Sequence, residues 1–261
     1  MIYYYKHLQV GYTHANWTKT GEIIKNVTSR DETSAYPYVM VSEKYPMSEF
    51  KKCDFIKSKE QLLDIFCYIV KVRFTGIRCK YLNNFISESK CTMIKKGKYD
   101  NGRIIEAEEL EIVLTDIDLK FIFESYNYKT YEFLEVYWAK KDYLPKEYIE
   151  FILDKYVDKT KYKNVEGKET EYMLSKNLFN SLYGMTVTNN IRDEVVFDNE
   201  LGWSEEKLDK DVILEKLQKE KDNGYLSFSW RSMGNSICKI QFIIKSNKIR
   251  QICNISEILI V

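Results

Sequence analysis

Proline is scarce in this chain of 261 residues, with 3 in all, and there are only 10 glycines. That scarcity, with 44% hydrophobic and 30% charged residues, excludes collagen-like repeats, low-complexity linkers and intrinsic disorder. The two histidines, His7 and His14, are remote from the six cysteines, Cys53, Cys67, Cys79, Cys91, Cys238 and Cys253, and no Cys-x-x-Cys pair occurs. The spacings of a zinc site are therefore missing. Neither sign of charge dominates: 40 basic against 39 acidic residues give a net charge of +1, so no global field draws the chain toward nucleic acid or an anionic membrane. Binding of that kind has to use local patches. No apolar run reaches about 18 residues, and residues 1–5 are an aromatic run followed by polar residues rather than a secretion signal. The expectation is a cytoplasmic protein with reduced thiols and no membrane partner.

What is present is enough chain for one or two domains of roughly 150 residues each. The 21 tyrosines, with abundant Lys, Asn and Ile, point to AT-rich coding DNA rather than to a binding specialisation. Residues 22–30 alternate β-branched and polar side chains and predict a strand that delivers Asp31 at its end. Pro37 fits the first turn of a short helix after it. A short helix is expected over 59–65, a strand over 66–76, and a hairpin at Asn101-Gly102 between strands 92–99 and 103–107. Helical spacing covers 116–126, with Asp116 or Thr115 as N-cap, and a strand is expected over 130–138. The longest helices are expected over 145–159 and 169–182, the second stopping at Tyr183-Gly184. The basic loop between them makes a helical hairpin with Lys159, Lys161, Lys163 and Lys168 at its tip. A charged amphipathic helix is expected over 204–222.

Two groups of residues could carry chemistry. Asp31, followed by Thr33, Ser34, Tyr36 and Pro37, places a carboxylate and a phenol where a turn frees backbone N–H groups. Such a site can hold a divalent cation and an anion together, while a strand-end Asp also serves as a plain cap or turn former. Lys176, Asn180 and Tyr183 lie on one helical stripe with Gly184 close behind, a cation, an amide and a ring suited to a nucleoside triphosphate. An ordinary amphipathic helix ending at Gly would look the same.

Taken in this order, the two segments resemble motifs A and B of family B DNA polymerases. DETSAYP at 31–37 resembles the D-x-x-S-L-Y-P pattern, and KNLFNSLYG at 176–184 resembles K-x-x-x-N-S-x-Y-G. The stretch 11–40 is most similar to the protein-primed branch of bacteriophages and linear plasmids. The resemblance implies template-directed deoxynucleotidyl transfer with Mg²⁺ or Mn²⁺, with primer-template DNA, deoxynucleoside triphosphates and a terminal priming protein as partners. It gives Asp31 the catalytic metals. Backbone around Thr33, Ser34 and Ala35 would hold the triphosphate, and Tyr36 would exclude a 2′-hydroxyl. Lys176 would neutralise phosphate charge, with Lys163 or Lys161 as a second contact. Asn180 and Tyr183 would shape the base-pair pocket, and Gly184 would let the template approach. The family's Tyr-x-Gly-Gly template contact survives only as Gly11.

The sequence also departs from the family pattern. Glu32 and Ala35 replace apolar or bulkier residues behind Asp31, and no Tyr-x-Asp-Thr-Asp motif follows motif B. Thr115-Asp116-Ile117-Asp118 stands before motif B, in the wrong order, and reads as a helix start. GYLSFSW at 224–230 keeps the family likeness, which stops after Trp230. The expected fold is α+β: part of a polymerase palm on an antiparallel sheet, with the family insertion, over 1–144, and helical-hairpin fingers over 145–184. A post-fingers segment would cover 185–230 and a divergent, frameshift-like tail 231–261, with the exonuclease domain and motif C absent. On this reading the isolated chain is a fragment with little activity, or a non-catalytic DNA- or nucleotide-binding remnant. A separate polypeptide supplying the lost motif would need an interface, for which the apolar runs 240–244 and 255–261 are candidates.

Overall fold

The computed structural model describes residues 21–27, 34–80, 84–185, 194–198 and 202–206. They fall into two compact units, one through Asp154 and one from Lys155 onward. In chain order the first contains α1 (Ala35–Ser42), β1 (Tyr45–Pro46), β2 (Lys51–Lys52), β3 (Phe66–Cys79), β4 (Cys91–Lys95), β5 (Lys98–Asp100), β6 (Arg103–Thr115), α2 (Asp116–Ser125), β7 (Tyr126–Asn127) and β8 (Thr130–Asp142). Its sheet is antiparallel in the order β1-β8-β3-β6-β4, with β2 on β8, β5 on β6 and β7 on β3.

The period of two in β3 decides its faces. Val70, Val72 and Phe74 point into the core, and Leu114, Ile112 and Leu110 meet them as register partners on β6. At Gly76 the backbone turns left-handed (φ 56) and the phase switches, so that Ile77 and its partner Ala107 continue the core. That backbone favours glycine. On β8 a register shift opposite Lys71 and Val72 leaves Leu134 without a β3 partner and turns both Phe133 and Val136 inward. Leu119 and Ile122 of α2, spaced for one helical face, close the core from the sheet's side.

The opposite face carries charge. Arg73 donates to Glu111 through Nε at 3.0 Å and through its terminal nitrogen at 2.6 Å, and pairs with Glu132 at 3.3 Å and Glu109 at 3.3 Å. Lys71 joins Glu111 at 3.2 Å and Lys95 joins Glu109 at 2.7 Å, so the network crosses four strands. Burial works to raise the Glu111 carboxyl, but the hydrogen bonds from Arg73 and Lys71 outweigh it and hold the group below its usual range. A sheet apolar on one face and charged here on the other is the pattern of antiparallel pairing.

The second unit holds the remainder of α3 (Lys146–Tyr162), then α4 (Glu169–Met185), β9 (Glu194–Asp198) and β10 (Gly202–Glu206). The last two form an antiparallel hairpin with Phe197 opposite Trp203.

Four expectations change. Residues 22–27 form no strand and are exposed, and Asn26 has φ 59, which breaks an extended run. The helix expected over 59–65 is one 3-10 turn, Lys59–Gln61, because Gln61 Oε1 accepts from the Ser58 N–H and caps it tightly. The strand expected over 92–99 breaks into β4 and β5 at Lys96, whose φ is 47. Residues 204–206 belong to β10 rather than to a helix, since they pair with 194–196. The rest of that helix, 207–222, lies outside the described residues, as do Gly11, 28–33 and 207–261.

Candidate functional site

Asp31 and Thr33 lie outside the described residues, so the structure takes up the first group at Ser34. Ser34 has φ 57 and ψ 39, a left-handed conformation that costs an L-residue about 1–2 kcal/mol. This twist turns the chain into α1. The Ser34 carbonyl accepts from Tyr38 N–H at 3.0 Å, while the Ser34 side chain makes no capping hydrogen bond. Pro37 sits in the first turn, where the N–H it lacks has no intrahelical role. Pro37, Val39 and Met40 are buried and fix the helix, which leaves Tyr36 and Tyr38 on its exposed side at 36% and 61%. Ala35 and Tyr36 thus combine first-turn amides with an accessible ring.

The second group is carried by α4. Lys176 and Tyr183 are half-buried and Asn180 is exposed, on neighbouring turns of one stripe. The helix continues through Gly184 to Met185, one turn residue beyond the expected stop. Glycine inside a helix costs roughly 1 kcal/mol against alanine, yet a Cβ at Gly184 would meet nothing within 4 Å. The packing of the described residues therefore gives no reason for glycine there.

The hairpin lysines sort by partner. Lys155 pairs with Asp158 at 2.8 Å and Lys168 with Glu171 at 2.5 Å. Lys159 lies 5.0 Å from the ring centroid of Phe179, and Lys161 5.4 Å from that of Tyr162. For Lys163, exposed in the turn, and for Lys176 no carboxylate partner is found among the described residues. Lys176 is the lysine of the motif pattern, and Lys163 is one of the two loop lysines, with Lys161, expected as a second phosphate contact. The contact of Lys159 with the Phe179 ring was not expected, because a tip lysine reads as solvated and no spacing along one helix encodes how two helices pack. Ser34 to Tyr36 belong to the first unit, and Lys163 to Gly184 to the second.

Thr115 takes the N-cap of α2, its hydroxyl accepting from Asp118 N–H at 3.2 Å. Asp116 accepts from Tyr68 N–H at 3.2 Å, and burial pushes its carboxyl up to about 6. No group of three or more His, Cys, Asp or Glu that could hold a metal occurs among the described residues. Cys53, Cys67, Cys79 and Cys91 are not disulfide-bonded, and burial pushes Cys91 up to about 12. No described helix is long and apolar enough to cross a membrane.

The family model described as DNA polymerase type B, organellar and viral, matches residues 6–252. Phi29 DNA polymerase complexed with primer-template DNA and incoming nucleotide is similar in fold, with a TM-score of 0.65 and 19% identity over 94% of this chain and 40% of that one. The same enzyme in its post-translocation binary complex with primer-template DNA gives a TM-score of 0.62 and 16% identity over 96% of this chain and 40% of that one. This chain therefore spans about 40% of the length of the solved chains it matches. Comparison with curated proteins gives no match. The expected α+β architecture, an antiparallel sheet with a helical hairpin, is part of a polymerase fold. With the family pattern running through residues 6–252, nearly the whole sequence, the chain belongs to the type B DNA polymerases of organelles and viruses.

Proposed function

We propose that this chain carries the nucleotide-selecting part of a template-directed DNA polymerase of the protein-primed type. Residues 1–144 act as palm with the family insertion, 145–184 as fingers, 185–230 as the segment after them and 231–261 as a divergent tail. The observation that carries this is the face of α4. Lys176, with no carboxylate partner among the described residues, shares a stripe with Asn180 and Tyr183, beside a glycine that its own packing does not require.

In this reading Lys176 neutralises triphosphate charge and Lys163 supplies a second, exposed contact. Asn180 and Tyr183 wall the pocket of the new base pair, and Gly184 lets the template backbone pass close. The first-turn amides after Thr33 and Ser34 take phosphate oxygens, an arrangement that suits anions. The ring of Tyr36 excludes a 2′-hydroxyl in this reading. Asp31 is the proposed holder of Mg²⁺ or Mn²⁺, and a bound divalent cation offsets charge on the reacting phosphate. Primer-template DNA is the proposed macromolecular partner, with a priming protein as a further one, and the cytoplasm of a host cell as the setting.

A second reading, a binding remnant without chemistry, is favoured by one observation: no Tyr-x-Asp-Thr-Asp follows motif B in the sequence. Both readings share the nucleotide site. Titration of the full chain with a deoxynucleoside triphosphate and its ribonucleotide counterpart, in Mg²⁺ and primer-template, tests it. Tighter deoxynucleotide binding is expected, with the preference shrinking in Tyr36→Ala. Equal binding of the two sugars by the wild-type chain would refute the proposal.

A further inference from the structure

We propose that Lys159 is a positioning residue for the triphosphate face of α4, acting through the ring of Phe179. The inference rests on the reading of Lys176, Asn180 and Tyr183 given above. Among the described side chains of α3 and α4 only Ile152, Ser175 and Phe179 are buried. Phe179, at 2% exposure, is therefore the one large apolar anchor on α4. Two side chains of α3 meet its ring: Tyr156, with centroids 6.0 Å apart and planes inclined by 38°, and Lys159, whose Nζ lies 5.0 Å from the centroid. A cation over a ring face is held by the ring's quadrupole, so Lys159 adds direction to a contact that burial alone would leave free to slide.

Helical geometry turns that contact into a setting of the site. At about 100° per residue, Phe179 points about 60° from Lys176, about 40° from Tyr183 and about 100° from Asn180. Any rotation of α4 that carries Phe179 off Lys159 moves all three. A rotation of about 20° sweeps a group 5–6 Å from the axis through about 2 Å, enough to lose a hydrogen bond. The ammonium of Lys159 is engaged with a ring, whereas Lys163 and Lys176 have no partner found among the described residues, so the three lysines do different work: two face the ligand and one sets the face.

The test uses the full chain with 4-fluorophenylalanine at position 179. Its ¹⁹F resonance is recorded without nucleotide, and affinity for a deoxynucleoside triphosphate with Mg²⁺ is measured at several salt concentrations. Lys159→Met should shift the resonance and weaken binding about threefold to tenfold, while the slope of affinity against salt stays as in the wild-type chain. Lys159→Arg, which keeps a cation on the ring, should restore both, and this guards against a variant that merely folds badly. Lys176→Ala should flatten the salt slope and leave the resonance in place. A flattened slope in Lys159→Met would make Lys159 a phosphate ligand and overturn the inference. So would an unmoved resonance, or unchanged affinity with a moved one. Wild-type affinity in Lys176→Ala would instead refute the reading of the face itself, and the nucleotide-free resonance keeps the two failures apart.

Discussion

Tyr126→Phe removes one oxygen from the first unit, and the hydrogen bonds around it set the cost. Tyr126 is 1% exposed. Its hydroxyl accepts from the backbone N–H of Phe85 at 2.9 Å and of Ile86 at 3.1 Å, and donates to the carbonyl of Ile104 at 3.3 Å. It thus fastens the segment entering β4 to β6 and pins the residue after α2. Phenylalanine keeps the ring and its packing, so almost no cavity forms, but two buried N–H groups lose their acceptor. Each such loss costs about 1–3 kcal/mol, which sums to about 2–6 kcal/mol. Urea unfolding should show it as a midpoint lower by about 1–3 M at an unchanged slope of about 2 kcal/mol/M. Tyr38→Phe, at a position 61% exposed, is the control and should shift by under about 0.5 kcal/mol. A Tyr126→Phe chain as stable as that control would refute the claim that this hydroxyl satisfies the Phe85 and Ile86 amides.

Further outcomes follow from the same structure. Thr115→Ala should lower stability by about 1 kcal/mol, because the Asp118 N–H at the start of α2 loses its acceptor; a change under a few tenths, read by thermal unfolding, would contradict the cap. Burial raises Asp116 from 3.8 to about 6, so its contribution is fully present below about pH 4 and is lost as pH rises through 6. Asp116→Asn should therefore gain on the wild-type chain by up to about 3 kcal/mol between pH 4 and pH 7, and a pH-independent difference in unfolding free energy would refute this. The purified chain should not extend a primer with Mg²⁺ and four deoxynucleotides, since the sequence carries no second carboxylate motif after motif B. Extension that disappears in Asp31→Ala would mean that another carboxylate has taken that place.

Much of the sheet was legible because its strands announce themselves. Residues 66–76 alternate, and Asn101-Gly102 occupies a turn with φ 46 and φ 70, which that dipeptide adopts readily. Alternation says less about where a strand stops: β3 and β8 continue to Cys79 and Asp142 because their neighbours pair with them there. Residues 22–27 look like a strand by composition, yet strand formation needs a neighbouring strand, and none of the described strands includes or pairs along them. The reverse holds at 204–206, where charged residues suited to a helix pair with β9 instead. The motif B stripe could be read from the sequence because spacing along one helix is a local property. The placement of Lys159 over Phe179 could not, because it depends on how two helices pack, and no spacing along one of them encodes that.

The central claim is tested most directly by titrating the full chain with a deoxynucleoside triphosphate and Mg²⁺, comparing Lys176→Ala with Lys168→Ala. Lys168 lies in the same hairpin but is paired with Glu171. A charge-assisted contact to phosphate contributes roughly 1.5–3 kcal/mol, or about one to two decades in affinity. The account predicts that loss for Lys176→Ala, shrinking as salt is added, and little change for Lys168→Ala. Equal effects of the two substitutions would contradict it, leaving motif B in this chain as a packing helix.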